Sequence, residues 1–196
     1  QEERNIRGVT SAASIPFMRG RLCLWQGDIT LLECDAIVNA ANSAMLGCFQ
    51  PGHHCIDNAI HTFAGVQLRL FCARMMEEQG HPERTGGAKI TPAFNLPSRH
   101  VIHTVGPVVS GAPSAEDARL LASCYASCLD LAAKNGVETL AFCCISTGVF
   151  GFPQQEAAEI AVRTVSVRLK EYPAVRKVVF NVFRNSDLEI YRRLLG

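Results

Sequence analysis

The chain lacks the sequence features that mark several broad classes of protein. Its apolar runs all fall well short of the roughly 20 residues that a membrane-spanning helix needs. Its N-terminal segment lacks the apolar stretch of a secretory signal peptide. Lys and Arg number 19 against 18 Asp and Glu, and they are scattered, so no basic arm for nucleic acid is present. We therefore expect a cytoplasmic protein that binds neither membranes nor nucleic acid.

Two common phosphate-binding motifs are missing as well. The segment STGVFGFP at residues 146–153 contains neither a Gly-Lys-Ser/Thr sequence nor the dinucleotide fingerprint. It does join a predicted strand to a predicted helix, and its two glycines let the backbone approach a ligand closely. A helix N-terminus at this place suits a diphosphate, but an ordinary strand-to-helix turn explains the pattern equally well.

Cysteine, by contrast, is abundant. The chain has nine cysteines, an odd number that does not favour a disulfide framework. Cys48 and Cys55 lie in the polar stretch GCFQPGHHC, with His53 and His54 between them. Thiolate and imidazole are preferred zinc ligands, so this stretch is a candidate metal loop. Five other cysteines lie in apolar segments and are expected to be buried: Cys23, Cys124, Cys128, Cys143 and Cys144.

Strand and helix patterns alternate along the chain. They predict strands at residues 22–25, 35–40, 88–94, 100–105, 139–145 and 177–183. They predict helices at 55–79, 115–135 and 153–169, and a short final helix that Asp187 N-caps. This order predicts a three-layer α/β/α fold with a mixed, mostly buried sheet of about six strands. The 196 residues fit one domain, which we place at residues 21–196 after an N-terminal extension at 1–20, and we expect a monomer.

Polar residues follow the first two predicted strands, where α/β proteins bind ligands. Asp28 follows the first strand, and Asn39 and Asn42 end the second. Carboxamides suit ribose hydroxyls because they both donate and accept, although Asn is also common in turns. Asp28 fits either a turn cap or an acceptor for an adenine amino group.

Five segments, in order, resemble the macrodomain family, an ADP-ribose-binding α/β module. They are WQGDIT, DAIVNAANS, CIDNAIHTFAGVQLR, IHTVGP and ISTGVFGFP, and the resemblance runs from about Leu22 to Leu195. Where general hydrolase macrodomains have a glycine-rich loop, this chain has GCFQPGHHCID. That loop resembles the zinc-dependent branch of the family, whose Cys-x4-His-x-Cys pattern falls here on Cys48, His53 and Cys55.

The resemblance implies a zinc-dependent mono-ADP-ribosyl hydrolase that frees ADP-ribose from Asp or Glu side chains of modified proteins. Its partners would be ADP-ribose and mono-ADP-ribosylated proteins, and its cofactor Zn²⁺. Three protein ligands leave a fourth position for water or substrate, whereas a closed structural site would need His54, His61 or Asp57. His54 also rivals His53 as a ligand. The alternatives are a non-catalytic ADP-ribose reader with a structural zinc and an O-acetyl-ADP-ribose deacetylase.

The resemblance also implies residue roles. Asn42, supported by Asn39, would fix the distal ribose, and Asp57 would orient a water or that ribose, although a helix-capping role explains Asp57 too. Asn42 and Asp57 are therefore the expected catalytic residues. The expected ADP-ribose contacts are Asp28, Ile29, Asn39, Asn42, Ser146, Thr147, Gly148, Val149, Phe150 and Phe183.

The sequence does not assign a single role to three aromatic residues and three histidines. Phe183 either stacks on adenine or belongs to the core, and Phe150 and Phe152 either border the ribose or pack the turn. His61, four residues after Asp57, either packs in the core or supports the metal site. We assign no chemistry to the remaining pair, His100 and His103, which face opposite sides of a predicted strand.

Overall fold

The protein is built on a seven-stranded mixed β-sheet covered by helices. The computed structural model describes residues 8–50, 52, 53 and 55–196. In chain order the elements are β1 (Thr10–Ser11), β2 (Phe17–Arg19), β3 (Leu22–Gln26), β4 (Leu32–Glu33), β5 (Ala36–Ala41), α1 (Ile56–Ala64), α2 (Val66–Gln79), β6 (Ala88–Pro92), β7 (His100–Val105), α3 (Ala115–Lys134), β8 (Thr139–Phe142), α4 (Gln154–Arg168), β9 (Lys177–Val182) and α5 (Asn185–Leu195), with 3-10 turns at Ala12–Ser14 and Ile29–Leu31.

The strand order in the main sheet is β2-β3-β9-β8-β5-β7-β6. The five inner strands run parallel, and only the outer pairs β2–β3 and β6–β7 are antiparallel. β5 lies inside the sheet between β8 and β7, and its residues Ile37 and Val38 are both fully buried although they point to opposite faces. A parallel strand that is buried on both faces carries successive apolar residues, and this pattern is the reason why the sequence predicts β5.

The helices cover both faces of the sheet. On β7, His103 contacts Cys72 of α2, while its strand neighbour Thr104 contacts Cys124 of α3. Consecutive strand residues point to opposite faces, so α1 and α2 lie on one face and α3 on the other. α4 packs on α3, and α5 packs on α4. The predicted three-layer α/β class is therefore confirmed.

Three details of the predicted fold need correction. The single helix predicted at 55–79 is two helices, because Gly65 has φ +90° and a Cβ there would lie 2.8 Å from the Asn95 side chain. The seventh strand, Phe17–Arg19, was missed because it has three residues and all are exposed. The N-cap of α5 is Arg184, and Asp187 lies in its first turn, where it accepts a hydrogen bond from Gln154 instead.

The described part of the N-terminal segment packs against the domain. β1 pairs with β4, and β2 forms an edge of the main sheet. Buried Lys177 donates hydrogen bonds to the carbonyls of Ala12 and Ile15, at 2.9 and 2.8 Å. A buried ammonium group that donates to several carbonyls fixes the backbone that supplies them. Across the described ranges, no helix combines the length and apolar character needed to cross a membrane.

Candidate functional site

The predicted site residues gather at one edge of the sheet. β3, β9, β8 and β5 are neighbours and run parallel, so their carboxyl ends meet at this edge, which we call the ligand edge. Hydrogen bonds join the loops there: Gly27 N–H donates to the Val182 carbonyl at 3.0 Å, and the Asn181 amide donates to the Gly27 carbonyl at 2.9 Å. The turn that carries Asp28 is thereby tied to the end of β9.

Asp28 and Phe183 occupy neighbouring positions at the ligand edge. Asp28 N-caps the 3-10 turn Ile29–Leu31, since its Oδ1 accepts from the backbone N–H of Thr30 at 2.9 Å. Asp28 therefore caps this turn, and its contact with adenine stays a prediction. The predicted ADP-ribose contact of Ile29, which is buried, also stays a prediction. Phe183 follows the last residue of β9 and is 76% exposed, which rules out the core explanation for this ring.

The 146–153 loop follows β8 and leads into α4. Ser146 is buried with φ +65°, and a Cβ on Gly106 would lie 2.0 Å from its hydroxyl oxygen. Gly106, in the IHTVGP segment, is therefore required by the close approach of this loop. Bonds from Gly151 N–H to the Gly148 carbonyl and from Phe152 N–H to the Ser146 carbonyl close the turn. Phe152 is buried, so it packs the turn.

The central amides of this loop are available for a ligand. Among the described residues, the backbone N–H groups of Thr147, Gly148, Val149 and Phe150 donate to no protein acceptor. Gly148 and Val149 are exposed, while Thr147 and Phe150 are half-buried. Successive unpaired amides just before a helix N-terminus form an anion-binding arrangement, which is the property that the predicted diphosphate contact requires.

Asn42 connects the ligand edge to the metal loop, which we define as residues 46–55. Its amide oxygen accepts from the backbone N–H of Ala44 at 3.0 Å, and its amide nitrogen donates to the Gly47 carbonyl at 3.1 Å. The half-buried side chain therefore shapes the start of this loop. Both of these bonds are to the protein backbone, so the contact of Asn42 with the distal ribose stays a prediction.

The metal loop brings three predicted ligands together, and we call Cys48, His53 and Cys55 the loop triad. Their ligand atoms all lie within 4.8 Å of one another, and Cys48 Sγ lies 3.1 Å from His53 Nδ1. All three side chains are half-buried. Two sulfurs and an imidazole nitrogen at this spacing are a donor set that fits zinc. The rival ligand His54 lies outside the described residues.

Neighbouring contacts hold the loop triad in place. Cys55 N-caps α1 through a 3.4 Å bond from the Asn58 N–H, and the Asn58 side chain donates to the His53 carbonyl at 2.9 Å. The Arg69 guanidinium lies 4.5 Å from the ring centre of Phe49, which anchors the loop to α2. Burial, together with the nearby Cys48 thiol, raises the pKa of Cys55. A bound cation would favour the thiolate forms that metal ligation needs.

Asp57 lies two residues beyond the loop triad, in the first turn of α1. It is 4% exposed, and its Oδ1 accepts a 2.8 Å hydrogen bond from the Asn39 side chain. Burial raises the pKa of Asp57, and the Asn39 hydrogen bond and the charge of Arg69 oppose this rise. Cys55 provides the side-chain cap of α1, while the Asp57 carboxylate in the first turn suits the positive end of the helix dipole.

A second group of ligand-type residues lies behind the ligand edge and was not predicted. His61, Cys72 and His103, which we call the buried cluster, also have ligand atoms within 4.8 Å of one another. Burial lowers the pKa of His61 to about 4 and that of His103 to about 3, and it raises the pKa of Cys72 to about 11. All three side chains are therefore neutral at pH 7. His103 is the register partner of Asn39 across two parallel strands, a pairing that the sequence alone does not reveal.

Comparisons with known proteins agree on one family. Residues 38–161 match the Macro domain family. The chain is 57% identical over 200 residues to the Protein-ADP-ribose hydrolase of Treponema medium, covering 100% of this chain and 77% of that protein. It is 55% identical over 190 residues to the Protein-ADP-ribose hydrolase of Staphylococcus aureus (strain MSSA476), and the match covers 96% of this chain and 71% of that protein. The Trypanosoma brucei macrodomain solved in complex with ADP-ribose has a TM-score of 0.83 at 34% identity, covering 96% and 77%.

Proposed function

The chain belongs to the macrodomain family, and we propose that it is a zinc-dependent hydrolase that removes mono-ADP-ribose from modified protein side chains. Two relatives at 57% and 55% identity carry the name Protein-ADP-ribose hydrolase, which supports the hydrolase activity. The observation that carries the zinc part of the proposal is the loop triad, whose donor atoms lie within 4.8 Å of one another.

The ligand edge supports a defined orientation for ADP-ribose. In this proposal the adenine lies against exposed Phe183, with its amino group toward Asp28. The diphosphate accepts from the amides of the 146–153 loop, and the distal ribose then lies toward Asn42 and Asp57. Since Asp57 comes two residues after Cys55, the scissile end of the ligand faces the metal loop.

Cys48, His53 and Cys55 would hold the zinc, which would supply Lewis-acid chemistry at the scissile end of the ligand. Asn42 would fix the distal ribose so that C1″ presents one face to solvent. Asp57 would orient the attacking water or a ribose hydroxyl through its carboxylate oxygens. Burial raises the pKa of Asp57, and the hydrogen bond from Asn39 and the charge of Arg69 oppose that rise in the direction of the ionised form that this role needs.

For the linkage, we propose the ester that joins C1″ to an Asp or Glu side chain. A carboxylate leaves as a stable anion, so its departure needs no proton from the enzyme. An assay with matched substrates tests this: ester-linked and serine-linked mono-ADP-ribosylated proteins are incubated with the chain, and free ADP-ribose is measured. We expect release from the ester substrate and much slower release from the serine substrate. The opposite preference would contradict the linkage.

Two further measurements, made beside this release assay, separate the remaining alternatives. A non-catalytic ADP-ribose reader would bind ADP-ribose in calorimetry but would release no ADP-ribose from any modified protein. An O-acetyl-ADP-ribose deacetylase would release acetate from that ester while leaving modified proteins intact. The monomeric state and the cytoplasmic location stay predictions, which gel filtration and localisation of the tagged protein would check.

A further inference from the structure

A chain of hydrogen bonds runs from β7 to the reacting end of the site. His103 is fully buried, and its Nδ1 lies 3.1 Å from the side-chain nitrogen of Asn39. The same Asn39 nitrogen donates to Asp57 Oδ1 at 2.8 Å. On the far side of the ring, His103 Nε2 lies 3.0 Å from the hydroxyl oxygen of Thr91, which is 1% exposed.

The donors and acceptors in this chain allow one assignment. The Asn39 amide nitrogen only donates, so His103 Nδ1 must be the unprotonated, accepting nitrogen. The single ring proton is then on Nε2 and is donated to Thr91 Oγ1. The Thr91 hydroxyl in turn donates to the Val101 carbonyl at 3.5 Å. Each N–H of the Asn39 amide thus has one acceptor, His103 or Asp57.

The orientation of the Asn39 amide decides what Asp57 faces. With the observed orientation, an N–H of Asn39 stabilises the carboxylate. A flipped amide would place its oxygen against the carboxylate oxygen of Asp57 and against the lone pair of His103 Nδ1. Both contacts would be repulsive while Thr91, which donates to the Val101 carbonyl, accepts the ring proton on Nε2. Two buried acceptors would then lose their donor, whereas the observed orientation leaves only the Asn39 oxygen without a partner among the described residues. His103 therefore favours the one orientation that supports Asp57.

We propose that His103 is a positioning residue that fixes the Asn39 amide and, through it, the carboxylate of Asp57. This inference rests on the proposed function, in which Asp57 acts at the scissile end. His103 is too deeply buried to touch the ligand, so its contribution is to the turnover step and not to the affinity for ADP-ribose. Thr91 supports it by accepting the ring proton, which selects the tautomer.

The buried cluster does not behave as a second metal site in this arrangement. Both ring nitrogens of His103 already have partners at hydrogen-bond distance, in Asn39 and Thr91. The Cys72 sulfur lies 4.0 Å from His103 Nε2, on the side where that nitrogen carries its proton. A metal there would have to displace that proton and break the contact with Thr91.

A pair of substitutions at position 103 tests the proposal. His103→Asn keeps an oxygen acceptor near the Nδ1 position but leaves a cavity, whereas His103→Leu fills more of the volume and has no acceptor. For His103→Leu we expect kcat on ester-linked substrate to fall about 10- to 100-fold, with KM and the Kd for ADP-ribose changed less than about threefold. His103→Asn should recover most of kcat although it is the less well packed variant.

Two results would overturn the proposal: equal kcat for the Asn and Leu variants, or a loss confined to KM. The near-isosteric Thr91→Val is the second variant, since it removes the acceptor of the ring proton with little change in packing. We expect its kcat to fall several-fold with unchanged zinc content and ADP-ribose affinity. A kcat equal to that of the unmodified chain would contradict the role of Thr91 in selecting the tautomer.

A spectroscopic measurement keeps this inference separate from the proposed function. Ring ¹⁵N NMR of the labelled chain should show His103 neutral at pH 7 with its proton on Nε2. A proton on Nδ1 would overturn the inference, whatever the activity. If the unmodified chain releases no ADP-ribose while His103 shows the expected tautomer, the proposed function fails and the hydrogen-bond chain stands as a structural feature.

Discussion

The loop triad and the buried cluster contain the same kinds of side chain at the same spacing. Each combines His and Cys, and in each the ligand atoms lie within 4.8 Å of one another. The loop triad is half-buried, next to the exposed Phe49 and Gly52. The buried cluster has no such access, because all three of its residues are less than 5% exposed.

The difference between the two groups lies in burial and hydrogen bonding. Burial raises the pKa of Cys72 to about 11 and holds both histidines neutral, and His103 has both ring nitrogens engaged. Metal ligation needs a thiolate and a free lone pair, which such an environment disfavours. Ligand identity and distance therefore define a candidate metal site, while solvent access and existing hydrogen-bond partners decide whether it can hold a metal.

The largest expected effect comes from removing a thiolate from the loop triad. Cys55→Ala should lose zinc and lower the rate of ADP-ribose release about 1,000-fold, because Lewis-acid assistance is worth several kcal/mol. ADP-ribose binding should persist, since the amides of the 146–153 loop are separate from the triad. Metal analysis, calorimetry with ADP-ribose and the release assay measure these three quantities.

A matched variant separates the ligand role of Cys55 from its capping role. Cys55→Ser keeps an oxygen that accepts from the Asn58 N–H, so the cap of α1 survives while the soft ligand is lost. We expect it to be as inactive as Cys55→Ala but more stable. If the serine variant regained most of the activity, the sulfur would matter as a helix cap and not as a metal ligand.

The second prediction concerns stability in acid and tests the neutral state of the buried cluster. The unfolded chain protonates each imidazole near its ordinary pKa of about 6.5. In the folded chain, burial lowers the pKa to about 4 at His61 and to about 3 at His103, so these rings stay neutral down to much lower pH. The unfolded state therefore binds more protons below pH about 6.5, so stability should fall as the pH drops from about 6.5 to about 4, by about 1.4 kcal/mol per pH unit for each ring.

Neighbouring charges modify this effect without reversing it. The charge of Arg69 lowers the pKa of His61 further and so strengthens the loss of stability in acid. Asp57 offsets part of this loss, because burial raises its pKa and the folded state takes up its proton first. Urea unfolding at pH 7.5 and 5.0 measures the change, and His61→Leu should remove roughly half of it. An unchanged pH slope in that variant would show that His61 is not the buried neutral group described here.

The smallest effect is expected for Cys72→Ala, the counterpart of Cys55→Ala in the buried cluster. It removes one buried sulfur atom from α2, which should cost about 1 kcal/mol of stability. Zinc content should be unchanged and the release rate should stay within about twofold. A loss of bound metal from this variant would overturn the contrast between the two groups.

The fold was largely predictable because its central strands are buried on both faces and its helices have clear periods. β5 and β9 are apolar in their centres, and α3 ends one residue before the predicted bound. The break at Gly65 was not predictable from periodicity, because the apolar residues continue across it. It depends on the approach of Asn95, a contact between distant parts of the chain.

The site was predictable where residues lie in one segment and less so where strands bring them together. Cys48, His53 and Cys55 share a short loop, so their spacing carried the signal. The link from His103 through Asn39 to Asp57 joins three separate elements and follows from strand register. The sequence alone does not reveal that register, so it assigns no role to His103.

Zinc content measured together with ADP-ribose release, before and after chelation, tests the central claim most directly. We expect about one zinc per chain, loss of ADP-ribose release when the metal is stripped, and recovery of release when zinc is returned. Calorimetry should show that the stripped protein still binds ADP-ribose. Undiminished release from a protein confirmed to be free of zinc would contradict the account.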